Sequence, residues 1–233
     1  MKQELLNIDL DRDEMSSKFG GGIPKSSIVL VEGEDGAGKS ILAQRIVYGL
    51  LRNGHTATYI SSELTTTGFV KQMASVDYNV KYDMLDNRLL FLSLFPYLGE
   101  SELGEEMMER ILVTRKLFEK EVIIFDTLSF LIIKETVGVK QAFALIKRLK
   151  KITGLDKTLV FCVDPEHINP TFLTLLRNVS DVYLNLEVKM VLGNWLRVLN
   201  VKRFKMSGDE TTPAIPFKVE PSVGVSIELA SLS

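Results

Sequence analysis

The chain has 233 residues, of which 45% are hydrophobic and 25% are charged, a composition typical of a globular protein with a substantial core. Its formal net charge is −2, which excludes a global positive field that would attract nucleic acid or anionic lipid. Cys162 is the only cysteine, so an intrachain disulfide is impossible and a reducing compartment is expected. The N-terminal residues contain no apolar signal core, and the longest apolar stretch, residues 122–133, is interrupted by Asp126. We therefore expect a cytoplasmic protein.

Strands and helices alternate along the first 187 residues. Runs of β-branched and aromatic residues predict buried strands, and apolar residues at helical spacing predict helices. The predicted strands are 27–32, 56–61, 88–93, 121–126, 157–163 and 181–187. The predicted helices are 38–53, 66–76, 102–119, 138–152 and 170–177. This alternation predicts an α/β fold with a wound, mostly parallel sheet flanked by helices.

After residue 187 the pattern changes to consecutive strands joined by turns. The candidate segments are 194–205, 213–219 and 224–229, separated by glycine- and proline-containing turns. Such a succession predicts an antiparallel extension at the C-terminal end of the sheet. Since the sequence contains no internal repeat, low-complexity tract or linker, we expect residues 1–233 to form a single domain.

The stretch GEDGAGKS, residues 33–40, matches the phosphate-binding pattern G-x-x-x-x-G-K-[ST]. It follows a predicted strand and precedes a predicted helix, which is the context that this loop requires. Its glycines allow successive backbone N–H groups to point into one concavity at the positive end of a helix. Lys39 is expected to reach the terminal phosphates, and the Ser40 hydroxyl to ligate Mg²⁺. The predicted nucleotide contacts are Gly33, Glu34, Asp35, Gly36, Ala37, Gly38, Lys39, Ser40 and Ile41.

A phosphate loop also needs an acidic residue on the metal side, at the end of a neighbouring hydrophobic strand. The segment VIIFD supplies Asp126 after four apolar residues. We predict that Asp126 and Ser40 form the metal side of a nucleotide–Mg²⁺ site. The alternative is a carboxylate that merely caps the end of a strand.

Residues around these motifs resemble the RecA-like P-loop ATPases, and within them the KaiC group. The resemblance lies in residues 19–40 (FGGGIPKSSIVLVEGEDGAGKS), 57–64 (ATYISSEL), 178–187 (NVSDVYLNLE) and 196–205 (LRVLNVKRFK). It spans nearly the whole chain and implies a RecA-like P-loop NTPase core that binds ATP.

Within this group, the chain is similar to the accessory proteins of the archaellum, the archaeal flagellum. The short acidic N-terminus, the single domain and the EDGAGKS loop fit that family. The resemblance implies Mg-ATP binding with little or no hydrolysis. It also implies a homo-oligomeric ring, expected as a hexamer, and two partners: the archaellum motor ATPase and a membrane-proximal ring scaffold protein. The protein would then be peripheral to a membrane-bound motor complex.

Glu63 is the candidate catalytic base. The residue after Asp126 is Thr127, which cannot act as a base, and Ser62 stands where KaiC-type proteins carry a second acidic residue. The alternative is that Glu63 lies in the first turn of a helix capped by Ser61 or Ser62. With only one candidate base, the sequence favours slow hydrolysis or none. Asp164, an acid where RecA-like proteins often carry a polar γ-phosphate sensor, also favours weak catalysis.

Arg203 and Lys205 alternate along a predicted strand and so share one face. The resemblance implies that two basic residues at this spacing contact the phosphate of a neighbouring subunit. The alternative is a pair of solvated charges on a strand.

Two other functions are open to a P-loop protein. A RecA-like ATPase that acts on DNA would call for basic loops, but the candidate loop at residues 134–140 is nearly balanced in charge. A small-substrate kinase would call for an arginine-bearing lid, whereas Arg110 and Arg115 lie within one predicted helix. An ATP-binding regulatory subunit remains the leading hypothesis.

Overall fold

The computed structural model describes residues 4–95, 103–132, 138–191, 194–205 and 210–228. The strands are β1 (Leu5–Leu6), β2 (Ile23–Pro24), β3 (Ile28–Gly33), β4 (Ala57–Ser61), β5 (Leu89–Ser93), β6 (Val122–Asp126), β7 (Thr158–Val163), β8 (Val182–Val191), β9 (Asn194–Phe204), β10 (Ala214–Glu220) and β11 (Gly224–Ile227). The helices are α1 (Met15–Lys18), α2 (Lys39–Arg52), α3 (Thr66–Ser75), α4 (Lys81–Leu85), α5 (Leu103–Val113), α6 (Val139–Thr153) and α7 (Pro170–Val179). Residues Arg115–Phe118 form a 3-10 helix.

One nine-stranded mixed sheet carries the fold, with the strand order β11-β10-β9-β8-β3-β7-β6-β4-β5. Strands β8, β3, β7, β6, β4 and β5 are parallel to their neighbours in this series. Strands β9, β10 and β11 continue the sheet in antiparallel pairs. This confirms the predicted wound α/β fold with a C-terminal antiparallel extension.

The central strands are buried on both faces because helices cover each side of the sheet. Along β3, Val29 and Val31 pack into one apolar cluster together with residues of α2 and α3. Ile28 and Leu30 point the other way, into a second cluster with residues of α5, α6 and α7. The uninterrupted apolar runs in the sequence therefore reflect two cores rather than one.

The predicted helix over 102–119 is wrong beyond Val113. Helix α5 ends there, the backbone at Thr114 is extended with ψ of 91°, and a 3-10 helix follows. Leu117 is buried from that second, shorter element. Helical spacing alone could not show the break, because both elements place apolar residues toward the same core. Position 102 lies outside the described residues, as do most of the loop 134–140 and residue 229.

A small two-stranded sheet, β1 with β2, holds the N-terminal segment beside the main sheet. The sequence patterns did not predict this pair or the short helices α1 and α4. Among the residues that the structure describes, no helix combines the length and the hydrophobicity needed to span a lipid bilayer.

Helix α2, which leaves the phosphate loop, is held by a buried ion pair. Arg45 donates from Nη2 to Asp13 Oδ1 at 2.5 Å and from Nε to Asp13 Oδ2 at 3.0 Å, and both side chains are fully buried. Arg45 also donates to the Ile8 carbonyl. Gly49 allows the N-terminal segment to lie this close to α2, since a Cβ added to Gly49 would lie 2.4 Å from the Ile8 carbonyl oxygen. The N-terminal segment is therefore fastened across α2.

We expect Asp13→Ala to lower the free energy of unfolding by about 3–5 kcal/mol, because removal of one partner leaves a buried guanidinium without its counter-charge. Chemical denaturation measures this loss. The control is Glu14→Ala, which removes an exposed ion pair with Lys18 and should change stability by less than about 1 kcal/mol. Equal effects of the two substitutions would contradict the role of the buried pair.

Candidate functional site

The phosphate loop lies at the carboxyl edge of the parallel strands, between the end of β3 at Gly33 and the start of α2 at Lys39. Gly36 and Gly38 have φ of +71° and +103°, a region that other residues adopt only with strain. Gly38 is also the N-cap of α2, so the backbone N–H groups at the start of that helix face the loop. The predicted strand, loop and helix are therefore all present in the expected order.

Lys39 fits an anionic ligand in this loop. Its side chain is buried, and Nζ donates to the carbonyl of Glu34 at 2.8 Å. No carboxylate in the described part of the chain lies within ion-pair distance of this ammonium group. A buried cation with only a neutral acceptor is well suited to a phosphate, which would supply the missing negative charge.

Ser40 and Asp126 are brought together, although 86 residues separate them along the chain. The Ser40 hydroxyl donates to Asp126 Oδ1 at 2.9 Å, and the Asp126 carboxylate is buried at the end of β6. Burial raises the pKa of Asp126, while hydrogen bonds from Tyr59 and Ser40 and the charge of Lys39 oppose that increase. These two oxygen donors fit Mg²⁺, which prefers hard oxygen ligands and commonly takes the rest from phosphates and water.

Tyr59 is a site residue that the sequence reasoning missed. From β4, next to β6 in the sheet, its hydroxyl donates to Asp126 Oδ2 at 2.6 Å. Each oxygen of the Asp126 carboxylate therefore has its own hydroxyl donor, which orients Oδ1 toward Ser40. A tyrosine inside a predicted buried strand was the available signal, because a buried phenol needs a hydrogen-bond partner.

Glu63 lines the same pocket as the phosphate loop, a cleft of about 320 Å³ that also contacts Lys39, Ser40 and Gln72. It does not belong to a helix. Helix α3 begins at Thr66 and is capped by Thr65, whose Oγ1 accepts from the Gly68 N–H at 3.1 Å. The alternative interpretation of Glu63 as a first-turn residue is therefore wrong.

Ser61 and Ser62 do not cap α3. Their hydroxyls accept hydrogen bonds that fix the segment before this helix. Ser61 Oγ accepts from the N–H groups of Glu63 at 3.3 Å and Leu64 at 3.0 Å. Ser62 is buried, and its Oγ accepts from the N–H of Thr127 at 3.0 Å. Ser62, the residue before the candidate base, thus joins the end of β4 to the residue after Asp126.

The ionisation of Glu63 depends on its neighbours in the pocket. Although the residue as a whole is exposed, partial burial of its carboxyl raises its pKa, and repulsion from Asp126 adds to the increase. The positive charge of Lys39 acts in the opposite direction. Glu63 therefore binds a proton more readily in the folded chain than an ordinary glutamate does.

Arg203 lies near the end of β9, and Lys205 directly follows that strand. Both are beside the start of β8, away from the carboxyl ends of the parallel strands where the phosphate loop lies. Arg203 donates from Nη1 to the carbonyls of Arg177 at 2.7 Å and Ser180 at 3.1 Å, at the end of α7. The Lys205 ammonium lies 3.5 Å from Asp181 Oδ1. Both cations thus have partners within the chain, and their action on a neighbouring subunit stays a prediction.

Asp164, at the end of β7, is engaged in its own turn. It is buried, its Oδ1 accepts from the Glu166 N–H at 2.9 Å, and its Oδ2 lies 3.2 Å from Nδ1 of His167. The carboxylate therefore stabilises the turn before α7.

Arg197 of β9 is a second pocket residue that the sequence reasoning did not single out. Its side chain lies against the last glycine of the phosphate loop, Gly38. The signal in the sequence was an arginine between the apolar residues Leu196 and Val198 of a predicted strand. Only the pairing of β8 with both β3 and β9 shows that this arginine reaches the loop.

We expect the melting temperature of Glu63→Gln to exceed that of the wild type at pH 8, and the two to converge at pH 4. A raised pKa means that the folded state binds the proton more tightly, so stability from this group is lost as pH rises above the ordinary value of 4.5 through the raised one. Glutamine removes that loss. Thermal unfolding across pH measures the difference, with the exposed Glu119→Gln as control; a constant offset at all pH values would contradict the assignment.

Comparison with known proteins places the chain in a family. The family model described as "ATPase: KaiC" matches residues 12–230. The archaeal flagellar ATP-binding protein FlaH of Methanocaldococcus jannaschii is 34% identical, over 99% of this chain and 98% of that protein. FlaH of Methanococcus voltae is also 34% identical, over 97% of this chain and 98% of its own length. The crystal structure of the flagellar accessory protein FlaH from M. jannaschii matches with a TM-score of 0.90 at 34% identity, covering 97% of this chain and 100% of that one. The chain therefore belongs to the FlaH family of archaeal flagellar ATP-binding proteins, within the KaiC group of ATPases.

Proposed function

We propose that this protein is an ATP-binding regulatory and assembly subunit of the archaellum motor. It holds Mg-ATP, hydrolyses it slowly if at all, and docks to the motor ATPase and to a membrane-proximal ring scaffold. It acts as a single RecA/KaiC-like domain over residues 1–233, in a homo-oligomeric ring, in the cytoplasm at the membrane-bound motor complex. The observation that carries this proposal is the hydrogen bond between Ser40 and Asp126 beside a glycine loop with a buried lysine.

The residues of the loop supply the binding chemistry. Backbone N–H groups from Gly33 to Ile41 hold the phosphates, and Lys39 neutralises the terminal ones. Ser40 and Asp126 would hold Mg²⁺, which shields the charge between the phosphates when it is bound. Tyr59 keeps the Asp126 carboxylate oriented toward Ser40. The base specificity follows from the relatives, which are named as ATP-binding proteins.

Three features support weak hydrolysis. The residue after Asp126 is Thr127, which cannot act as a base. Its hydroxyl is buried and has no hydrogen-bond partner in the described residues. Ser62 replaces a second acid and is bound to the backbone. Glu63 is then the one candidate base, and no second acid stands beside it in the sequence.

The basic residues Arg203 and Lys205 also support weak hydrolysis, because both side chains are engaged within their own subunit. Arg203 and Lys205 already bind carbonyl and carboxylate groups of their own chain. A trans-acting role would have to replace these contacts by contacts to the neighbouring subunit's nucleotide. Nucleotide binding would then stabilise assembly, because a ligand favours the state that binds it more tightly.

We expect Lys39→Ala to lose measurable Mg·ATP binding while its circular dichroism spectrum and melting temperature stay close to those of the wild type. The reason is the loss of the single buried cation that meets the terminal phosphates. Isothermal titration calorimetry measures the affinity. Lys140→Ala, an exposed lysine of α6, is the matched control and should bind normally. Wild-type affinity in Lys39→Ala would overturn the assignment of the phosphate loop.

We expect ADP release from Mg·ATP by the wild type to stay at the level of Glu63→Ala, at both low and high protein concentration. The physical reason is that Glu63 is the single candidate base, with Ser62 before it and Thr127 after Asp126, neither of which can act as a base. Steady turnover that rises with protein concentration and disappears in Glu63→Ala would instead show a working ATPase completed by a neighbouring subunit, with Glu63 as its base.

A further inference from the structure

The sheet order sets two residues on opposite sides of the phosphate loop. Strand β3 lies between β7 and β8. Asp126 comes from β6, on the far side of β7, and Arg197 comes from β9, on the far side of β8. Arg197 therefore approaches the loop from the side opposite to the candidate metal site and to Glu63.

Arg197 lies in direct contact with the last glycine of the loop. A Cβ added to Gly38 would lie 2.9 Å from Cδ and 3.1 Å from Nε of Arg197. In β9, Arg197 faces Val188 on one side and Phe217 on the other, so the strand is held between two ordered neighbours. Leu199, two residues along the same face, is buried in the core beneath α2. The arginine is thus carried by a rigid strand and not by a loose loop.

The guanidinium of Arg197 has unused hydrogen-bonding capacity. Its Nε is buried and, within the described residues, has no hydrogen-bond partner. A buried donor without an acceptor costs free energy, so this N–H is well placed to donate to an oxygen of a ligand. The residue lines the same pocket as Lys39 and Ser40. Since the arginine fork matches the geometry of phosphate oxygens, a phosphate is the chemistry that this donor fits.

We propose that Arg197 is a nucleotide-binding residue acting within its own subunit, which donates to the phosphates that ATP and ADP share. This rests on the proposed function of the loop as a nucleotide site. The N–H groups of a phosphate loop hold the α- and β-phosphates, and its lysine reaches the β- and γ-phosphates. Arg197 covers Gly38 from the β8 side of the loop, opposite to the strands β6 and β4 that lead to Asp126 and Glu63, so its contact belongs to the α/β portion. The residue therefore retains nucleotide whether or not the γ-phosphate is present.

The test compares the affinities of Mg·ATP and Mg·ADP for the wild type and for Arg197→Met, by isothermal titration calorimetry on the full chain. A charge-assisted hydrogen bond of this kind predicts a loss of about tenfold or more, by the same factor for both nucleotides. Arg115→Met removes an exposed arginine in the 3-10 helix and should change neither affinity. Arg197→Gln, which keeps a polar group over Gly38, is the second variant and replaces Arg197→Met if that one fails to fold.

Each outcome is decisive. Equal losses for ATP and ADP in Arg197→Met or Arg197→Gln confirm the contact. Unchanged affinity for both nucleotides overturns it, and a loss confined to ATP overturns it in favour of a contact to the γ-phosphate. Failure of the wild type to bind either nucleotide contradicts the proposed function itself. This result differs from a failure of the Arg197 proposal, in which the wild type binds both nucleotides and the substitution changes neither affinity.

Discussion

The parallel hydrogen-bond ladder that joins β3, β7, β6 and β4 determines where the polar groups of the site lie. Because these strands run in the same direction, their carboxyl ends meet at one edge of the sheet. Gly33 ends β3, Asp126 ends β6, and Ser61, which faces Asp126 in the register, ends β4. Asp126 and Ser61 each end a buried strand, so the burial that builds the core also positions these two polar residues.

Burying a carboxylate at that edge requires donors on both of its oxygens. Tyr59 and Ser40 supply them to Asp126, one from a neighbouring strand and one from the first turn of α2. The phosphate loop and the strand of the acidic residue are thereby linked through side chains as well as through the sheet. Glu63 stands close enough to this buried charge for repulsion to raise its pKa, which connects the metal side of the pocket to the candidate base.

Strand β9 carries one arginine near its start and another near its end, and the two have different roles. Near its start, Arg197 covers Gly38 of the phosphate loop. At its end, Arg203 binds carbonyls at the C-terminus of α7, where cations also suit the negative end of the helix dipole. The antiparallel extension therefore contributes to the candidate nucleotide site through the start of β9, and to the scaffold through the end of β9.

Local patterns in the sequence determined the strands, the glycine loop with Lys39 and Ser40, and Asp126 at the end of its strand, because each is encoded within a few consecutive residues. Only the tertiary structure decided which distant side chains meet. Tyr59 and Arg197 reach the site through strand pairing, and Arg45 meets Asp13 across the N-terminal segment. The break after Val113 was equally hidden, since both halves of that segment bury apolar residues on the same core. Such pairings depend on contacts between residues far apart in the chain, which periodicity along the chain does not contain.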